Sequence, residues 1–228
     1  MDLRQMTTST VDEAVGRSHR ADPVTGAAGG PAGNARLTAW TGAVLFVLLA
    51  VEGVTILDIR GLITWHVVVG VLLIPPALLK TASTGWRIVR YYTGSGPYRK
   101  AGPPPTPLRV IGPLVVVATF AVLASGVALV LIGPEASRHP LLGMGGRGLD
   151  AVTVHKATFV VWLLVTAPHV LGRLVPALRL MAPSRAAAVP GGSWRGGVIL
   201  LTLAVAAVAA VIVLGAVGPW QFLGGGDH

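Results

Sequence analysis

The chain has 228 residues, 53% of them hydrophobic and only 12% charged, with a formal net charge of +9 and no cysteine. Soluble domains carry roughly 25% charged residues, so the polar surface that a secreted or cytosolic enzyme of this size needs is all but excluded. Without cysteine there are no disulfides, iron–sulfur clusters, thiolate-ligated or covalently attached haem, and no thiol catalysis. Any cofactor is held by nitrogen, oxygen or packing.

Residues 1–36 mix Ser, Thr, Gly, Ala and Pro with four basic and four acidic residues and show no apolar periodicity. This composition predicts a disordered tail. Five apolar stretches follow, at about 37–57, 61–80, 110–132, 151–175 and 197–217, each long enough to cross a hydrocarbon core of roughly 30 Å. The first is read as an uncleaved span, because its apolar run is long and ends in EGVTILDIR rather than at a small-residue cleavage site. Only a short turn with Asp58 and Arg60 separates it from the second, so those two helices are antiparallel neighbours. Pro75 and Pro76 interrupt the second span and Pro168 the fourth, and missing amide donors at these points predict kinks. The GPPPTP segment at 102–107 reads as a stiff extended spacer. The fifth span carries no ionisable residue in LTLAVAAVAAVIVLGAV and reads as a lipid-facing or packing helix. The expected organisation is a tail over 1–36, a four-helix core over 37–180, and a linker, fifth helix and short tail over 181–228.

Charge sets the expected orientation. Residues 87–109 hold five basic groups and 173–195 hold four arginines, both without an acid. Basic loops stay on the cytoplasmic side of a plasma membrane, which places the N-terminus inside and the C-terminus outside. The net positive charge is therefore a topology signal, and nucleic-acid binding is not expected.

Ionisable groups inside spans are costly and point to function. Six occur in or near the spans: Glu52, His66, Lys80, His155, Lys156 and His169. His155 and His169 are 14 residues apart, nearly four turns, so they share a face with about 21 Å between them. His66 and Lys80 repeat the same offset on the second span, which runs in the same direction, so the two pairs lie at matching depths. The His155 face continues through Phe159, Trp162, Thr166, His169 and Arg173; the His66 face continues through Gly70, Leu73, Ala77 and Lys80. Imidazoles from two facing helices are what a b-type haem needs for axial ligation without covalent attachment. Aromatic side chains suit the wall of such a site, and Gly70 lets a flat ring approach the backbone. His66 with His155 makes the first site, and His169 is a further candidate ligand. Lys80 is a snorkelling cation, a propionate partner or, after losing its proton, a ligand; Lys156 and Arg60 can pair propionates at the outer surface. Any one of these histidines alone is equally explained as an interhelical hydrogen-bonder. For Glu52 the choice lies between snorkelling and a proton-relay or quinone contact. His19, His139 and His228 fall in tails or loops.

The runs TWHVVVGVLLIPPALLKTASTGWRIVRYYTGSGPYRKAGPPP, PLVVVATFAVLASGVALVLIGP and VHKATFVVWLLVTAPHVLGRL resemble small actinobacterial membrane proteins of the cytochrome b561 and respiratory cytochrome b superfamily, over about residues 39–174. The resemblance implies haem-binding histidines on a four-helix core that passes electrons between a quinone pool or redox protein and a partner. It implies ligand positions at His66 and His155, with His169 as second ligand on the histidine-pair helix. Lys80 stands where a di-haem cytochrome b has histidine, which leaves one haem expected and a second open.

The expected function is electron transfer by a membrane-embedded haem b protein, more as an oxidoreductase subunit than as a self-contained enzyme. The alternatives are a cofactor-free transporter or proton-relay subunit using Glu52, His66, Lys80 and His169, and a structural anchor of a membrane complex. Neither a phosphate-binding GxxxxGK[ST] loop nor an HExxH zinc motif is present.

Overall fold

In a bilayer every backbone N–H and C=O needs a partner within the protein, so long apolar runs close their hydrogen bonds as helices. The computed structural model describes residues 3–17, 22–103, 106–144, 147–182 and 189–221. Five helices are long and apolar enough to cross a membrane: α2 (Gly30–Leu57), α3 (Ile63–Tyr92), α5 (Thr106–Ala136), α6 (Ala151–Met181) and α7 (Gly192–Gln221). A helix α1 (Leu3–Ala14) precedes them, and a single-turn α4 (Gly96–Ala101) follows α3. A hairpin of β1 (Leu142–Met144) and β2 (Arg147–Leu149) joins α5 to α6, with Leu142 opposite Leu149. The protein is an all-α, multi-pass membrane protein.

Local chemistry explains the boundaries. Gly133 adopts φ 79°, which breaks α5 after Ile132, the residue where the apolar run also stops. Asp150 caps α6 by accepting the Thr153 N–H at 2.6 Å. Hydrogen bonding from the Thr153 side chain, then from its N–H, holds the Asp150 carboxyl below its ordinary value. A depressed carboxyl stabilises above its unfolded pKa and loses that contribution as pH falls through the folded one, so the cap is intact at neutral pH. Helical backbone continues through both Pro75 and Pro76. Thr106 and Pro107, read from the sequence as part of an extended spacer, begin α5 instead, because a proline in the first turn loses no helical donor. Positions 104 and 105 of that spacer lie outside the described residues.

The bundle is two hydrogen-bonded helix pairs. Lipid tails do not drive helices together as water does, so close packing and polar bonds across helices hold a membrane bundle. Asn34 donates to the Ser83 carbonyl at 2.9 Å, Thr38 and Ser83 share a hydroxyl contact of 2.9 Å, and Lys80 donates to the Thr38 carbonyl at 3.2 Å; these join α2 to α3. Ser125 meets Thr158 at 3.1 Å and Trp162 donates to Thr119 at 3.0 Å, joining α5 to α6. The outer flank of α3 is covered by α7, whose Gln221 donates to Thr64 at 2.7 Å. The two histidine-bearing helices, α3 and α6, hardly touch. Leu57, Leu131 and Ile212 are among many apolar side chains left facing outward, as lipid-facing residues are.

The N-terminal region departs from the expected disordered tail over 1–36. There α1 lies against α6, and α2 starts at Gly30 rather than near Leu37. The reason is electrostatic. Arg173 pairs with Glu13 at 2.7 Å, Arg87 holds Asp22 through two contacts of 2.7 and 3.2 Å, and Arg179 donates to the Gly16 carbonyl. These bonds fasten the segment to the basic end of the bundle.

Candidate functional site

A cavity of about 1970 Å³ runs between the α2–α3 pair and the α5–α6 pair. Small-molecule sites usually occupy about 300–1,000 Å³. His66, Gly70 and Lys80 of α3 line it, as do His155, Lys156, Trp162, His169 and Arg173 of α6. The side-chain set chosen from helical spacing thus faces one space, including Leu73 and Ala77 on one wall and Phe159 and Thr166 on the other.

At the end of the cavity away from the basic segments, the His66 and His155 rings approach with centroids 6.3 Å apart and planes at 77°. Each ring is tethered through Nδ1 to its own helix pair. His66 Nδ1 lies 3.0 Å from Thr55 Oγ1 and 3.0 Å from Glu52 Oε1. Since Thr55 donates its hydroxyl to the Glu52 carbonyl at 2.6 Å, its oxygen accepts from His66, and Nδ1 carries the ring proton. His155 Nδ1 lies 2.9 Å from Ser125 Oγ, whose hydroxyl hydrogen is directed to the Val122 carbonyl or to Thr158. With the Ser125 hydrogen on the Val122 carbonyl, His155 takes the same tautomer. Each Nε2 therefore carries a lone pair and makes no hydrogen bond to a described residue. A β-carbon at Gly126 would stand 3.2 Å from His155 Cε1, so the glycine gives the ring its place against α5.

Deeper in the cavity, Trp162 stacks on Phe159 with centroids 5.9 Å apart and its N–H fixed by Thr119. His169 has Lys80 and Arg173 as charged neighbours. The Lys80 ammonium is turned onto the Thr38 carbonyl, and Arg173 is engaged by Glu13. His169 Nδ1, Thr166 Oγ1 and Glu52 Oε2 are buried with no hydrogen-bond partner. Buried polar atoms without partners are costly, and all three belong to residues that line the one cavity. Lys156 sits exposed at the rim, beside Asp150. His139 is exposed, and His19 and His228 lie outside the described residues.

Among the described residues no three His, Cys, Asp or Glu side chains converge on a common point. The donor set at the first site is two imidazole nitrogens. Thr55, Thr119, Ser125 and Gly126 were not legible as site residues, because a hydroxyl or glycine in an apolar run is ordinary until the rotation of its helix is known. The polar pair Ser125 and Gly126 inside VLASGVAL was the one available signal. The chain matches no protein-family model, no curated protein and no solved structure.

If His155 holds a metal group and the Ser125 tether orients it, Ser125→Ala leaves the protein folded and weakens that binding. Loss of such an outer partner weakens metal-site affinity about 10–100-fold. Titration of the bound group against an external chelator or apoprotein acceptor reads this directly.

Proposed function

We propose that the protein is a b-type haem electron-transfer protein of the membrane, with His66 and His155 as axial ligands. The carrying observation is the ring separation. With a metal–imidazole bond of about 2 Å and about 1.1 Å from nitrogen to ring centre, two imidazoles on opposite sides of one metal have centroids about 6.2 Å apart. The two rings here are 6.3 Å apart with their planes at 77°, and each is hydrogen-bonded through Nδ1. A two-nitrogen donor set suits a macrocycle that brings its own four nitrogens, and a space of about 1970 Å³ is ample for it. Haem in this setting supplies reversible one-electron transfer.

The chain's own residues prepare that chemistry. Thr55, Glu52 and Ser125 hold each imidazole in one tautomer, which fixes ligand basicity. The stacked Phe159 and Trp162 exclude water from the wall between the two ends. Around His169, the cations Lys80 and Arg173 with the unpartnered Thr166 hydroxyl suit a haem propionate or the carbonyl oxygens of a quinone headgroup. A second haem there has no facing imidazole, and Lys80 acts as a cation. The electron donor and acceptor are a quinone or a partner redox protein, the chain serving as a subunit of an oxidoreductase. A Soret band with a reduced α-band in the purified protein tests the reading. Their absence leaves the Glu52–His66 pair as part of a cofactor-free proton relay.

We further propose that the basic end is cytoplasmic in the plasma membrane. A reporter fused at the C-terminus is then active only outside; cytoplasmic activity means the orientation is reversed.

A further inference from the structure

Two arginines outside the cavity have no electrostatic partner. Arg36, two turns into α2, and Arg195, in the first turn of α7, are each 6% exposed and are charged neighbours of one another. Arg195 is fixed by backbone carbonyls alone: Nη1 donates to Pro190 at 2.8 Å and to Ala28 at 3.2 Å, and Nη2 to Val189 at 3.1 Å. Carbonyls satisfy its donors without neutralising its charge. Arg36 Nη1 is buried with no hydrogen-bond partner. Among the described residues no acid pairs with either guanidinium, and the nearby acids Asp22 and Glu13 are already held by Arg87 and Arg173. Burying two like charges without a counter-charge is strongly unfavourable, so the arrangement lacks an anion that the described residues do not supply.

The surroundings suit one. The starts of α2 and α7 lie together here; the Ala32 N–H of α2 is taken by the Pro23 carbonyl at 3.2 Å, so what the two helix starts add to the guanidiniums is the positive potential of their dipoles. A β-carbon at Gly33 would stand 3.0 Å from Arg195 Nη1, and one at Gly191 3.4 Å, so glycines let the guanidinium lie on the helix start. Trp194 beside it is exposed, as tryptophans are at the headgroup level. We propose that Arg36 and Arg195 bind a phosphate group at the basic face of the protein. Arginine is the residue whose planar fork matches phosphate oxygens in pairs. The phosphate comes from a lipid headgroup or from solution.

The test uses full-length protein purified with its native complement of bound groups in an alkyl glucoside detergent, at constant ionic strength set with chloride. Thermal unfolding is followed against inorganic phosphate in one arm and dioctanoyl phosphatidylglycerol in the other. A saturable rise in midpoint is expected in at least one arm. A rise with both shows that the phosphate group itself is read; a rise with the lipid alone assigns the headgroup, and a rise with inorganic phosphate alone assigns the free ion. In Arg36→Met, which removes the charge but no hydrogen bond, the apparent affinity falls at least tenfold while Arg36→Lys retains part of it. No rise in either arm, or a rise unchanged in Arg36→Met, overturns the proposal.

Discussion

On the proposed haem reading, His66→Ala and His155→Ala each abolish a low-spin haem spectrum. Each variant would keep a single imidazole to hold the group, and occupancy would fall by at least about tenfold by analogy with the cost of weakened metal shells. Because both rings are tethered from opposite helix pairs, at Glu52 and Thr55 on one side and Ser125 on the other, neither alanine variant can recruit its neighbour without breaking the tether. The small side chain leaves room for an exogenous imidazole, so adding imidazole restores the low-spin bands if the loss was one of ligation and not of folding. Lys80→Ala and His169→Ala leave the haem-to-protein ratio near one. Wild-type spectra in both His66→Ala and His155→Ala rule out the ligand assignment. A ratio near two that falls to one in His169→Ala places a second haem at the basic end.

What the sequence revealed and what it hid have separate physical causes. Span number and the shared faces of α3 and α6 follow from periodicities local to one helix, so the offsets from His66 to Lys80 and from His155 to His169 already put those side chains on single stripes. That both stripes line one cavity needs the rotation of each helix about its axis, which interhelical bonds such as Thr38 to Ser83 and Trp162 to Thr119 fix. The tethers on the histidines belong to this second class. So does the ordering of α1, because Glu13 and Arg173 are far apart in sequence and no local pattern links them. The buried Arg36 was read as the last charge of a tail when it is a wall of the α2–α7 junction. Lys80 was legible by position but not by partner, since a lysine near a span end snorkels by default and only the α2 carbonyl of Thr38 shows it turned inward.

Ala206→Phe separates α7 from the bundle. In α7 the buried apolar residues are Ala206 at 0% exposure, Ala210 at 7% and Val217 at 1%, which fall on one stripe, while Ala207 and Val208 face outward. That stripe meets the flank of α3, where Pro76 and Leu79 lie against Thr202 and Leu203 one turn earlier, and Gln221 fixes the far end on Thr64. Small residues at such a contact let the backbones approach closely, which in lipid is where the association energy lies. An aromatic ring at a fully enclosed alanine has no rotamer that avoids the opposing helix. Overpacking of this kind costs about 1–3 kcal/mol and lowers the unfolding midpoint of a protein of this size by roughly 2–12 °C. Ala207→Phe adds the same ring to the exposed side and leaves the midpoint within about 1 °C, since it changes no buried contact. The two variants carry the same composition, so a difference between them isolates the α3–α7 contact from bulk hydrophobicity; equal midpoints mean that α7 is not held by this face. Because α3 carries His66 on another of its faces, Ala206→Phe also loosens the first site; on the proposed haem reading its spectrum broadens or weakens while that of Ala207→Phe stays at the wild-type level.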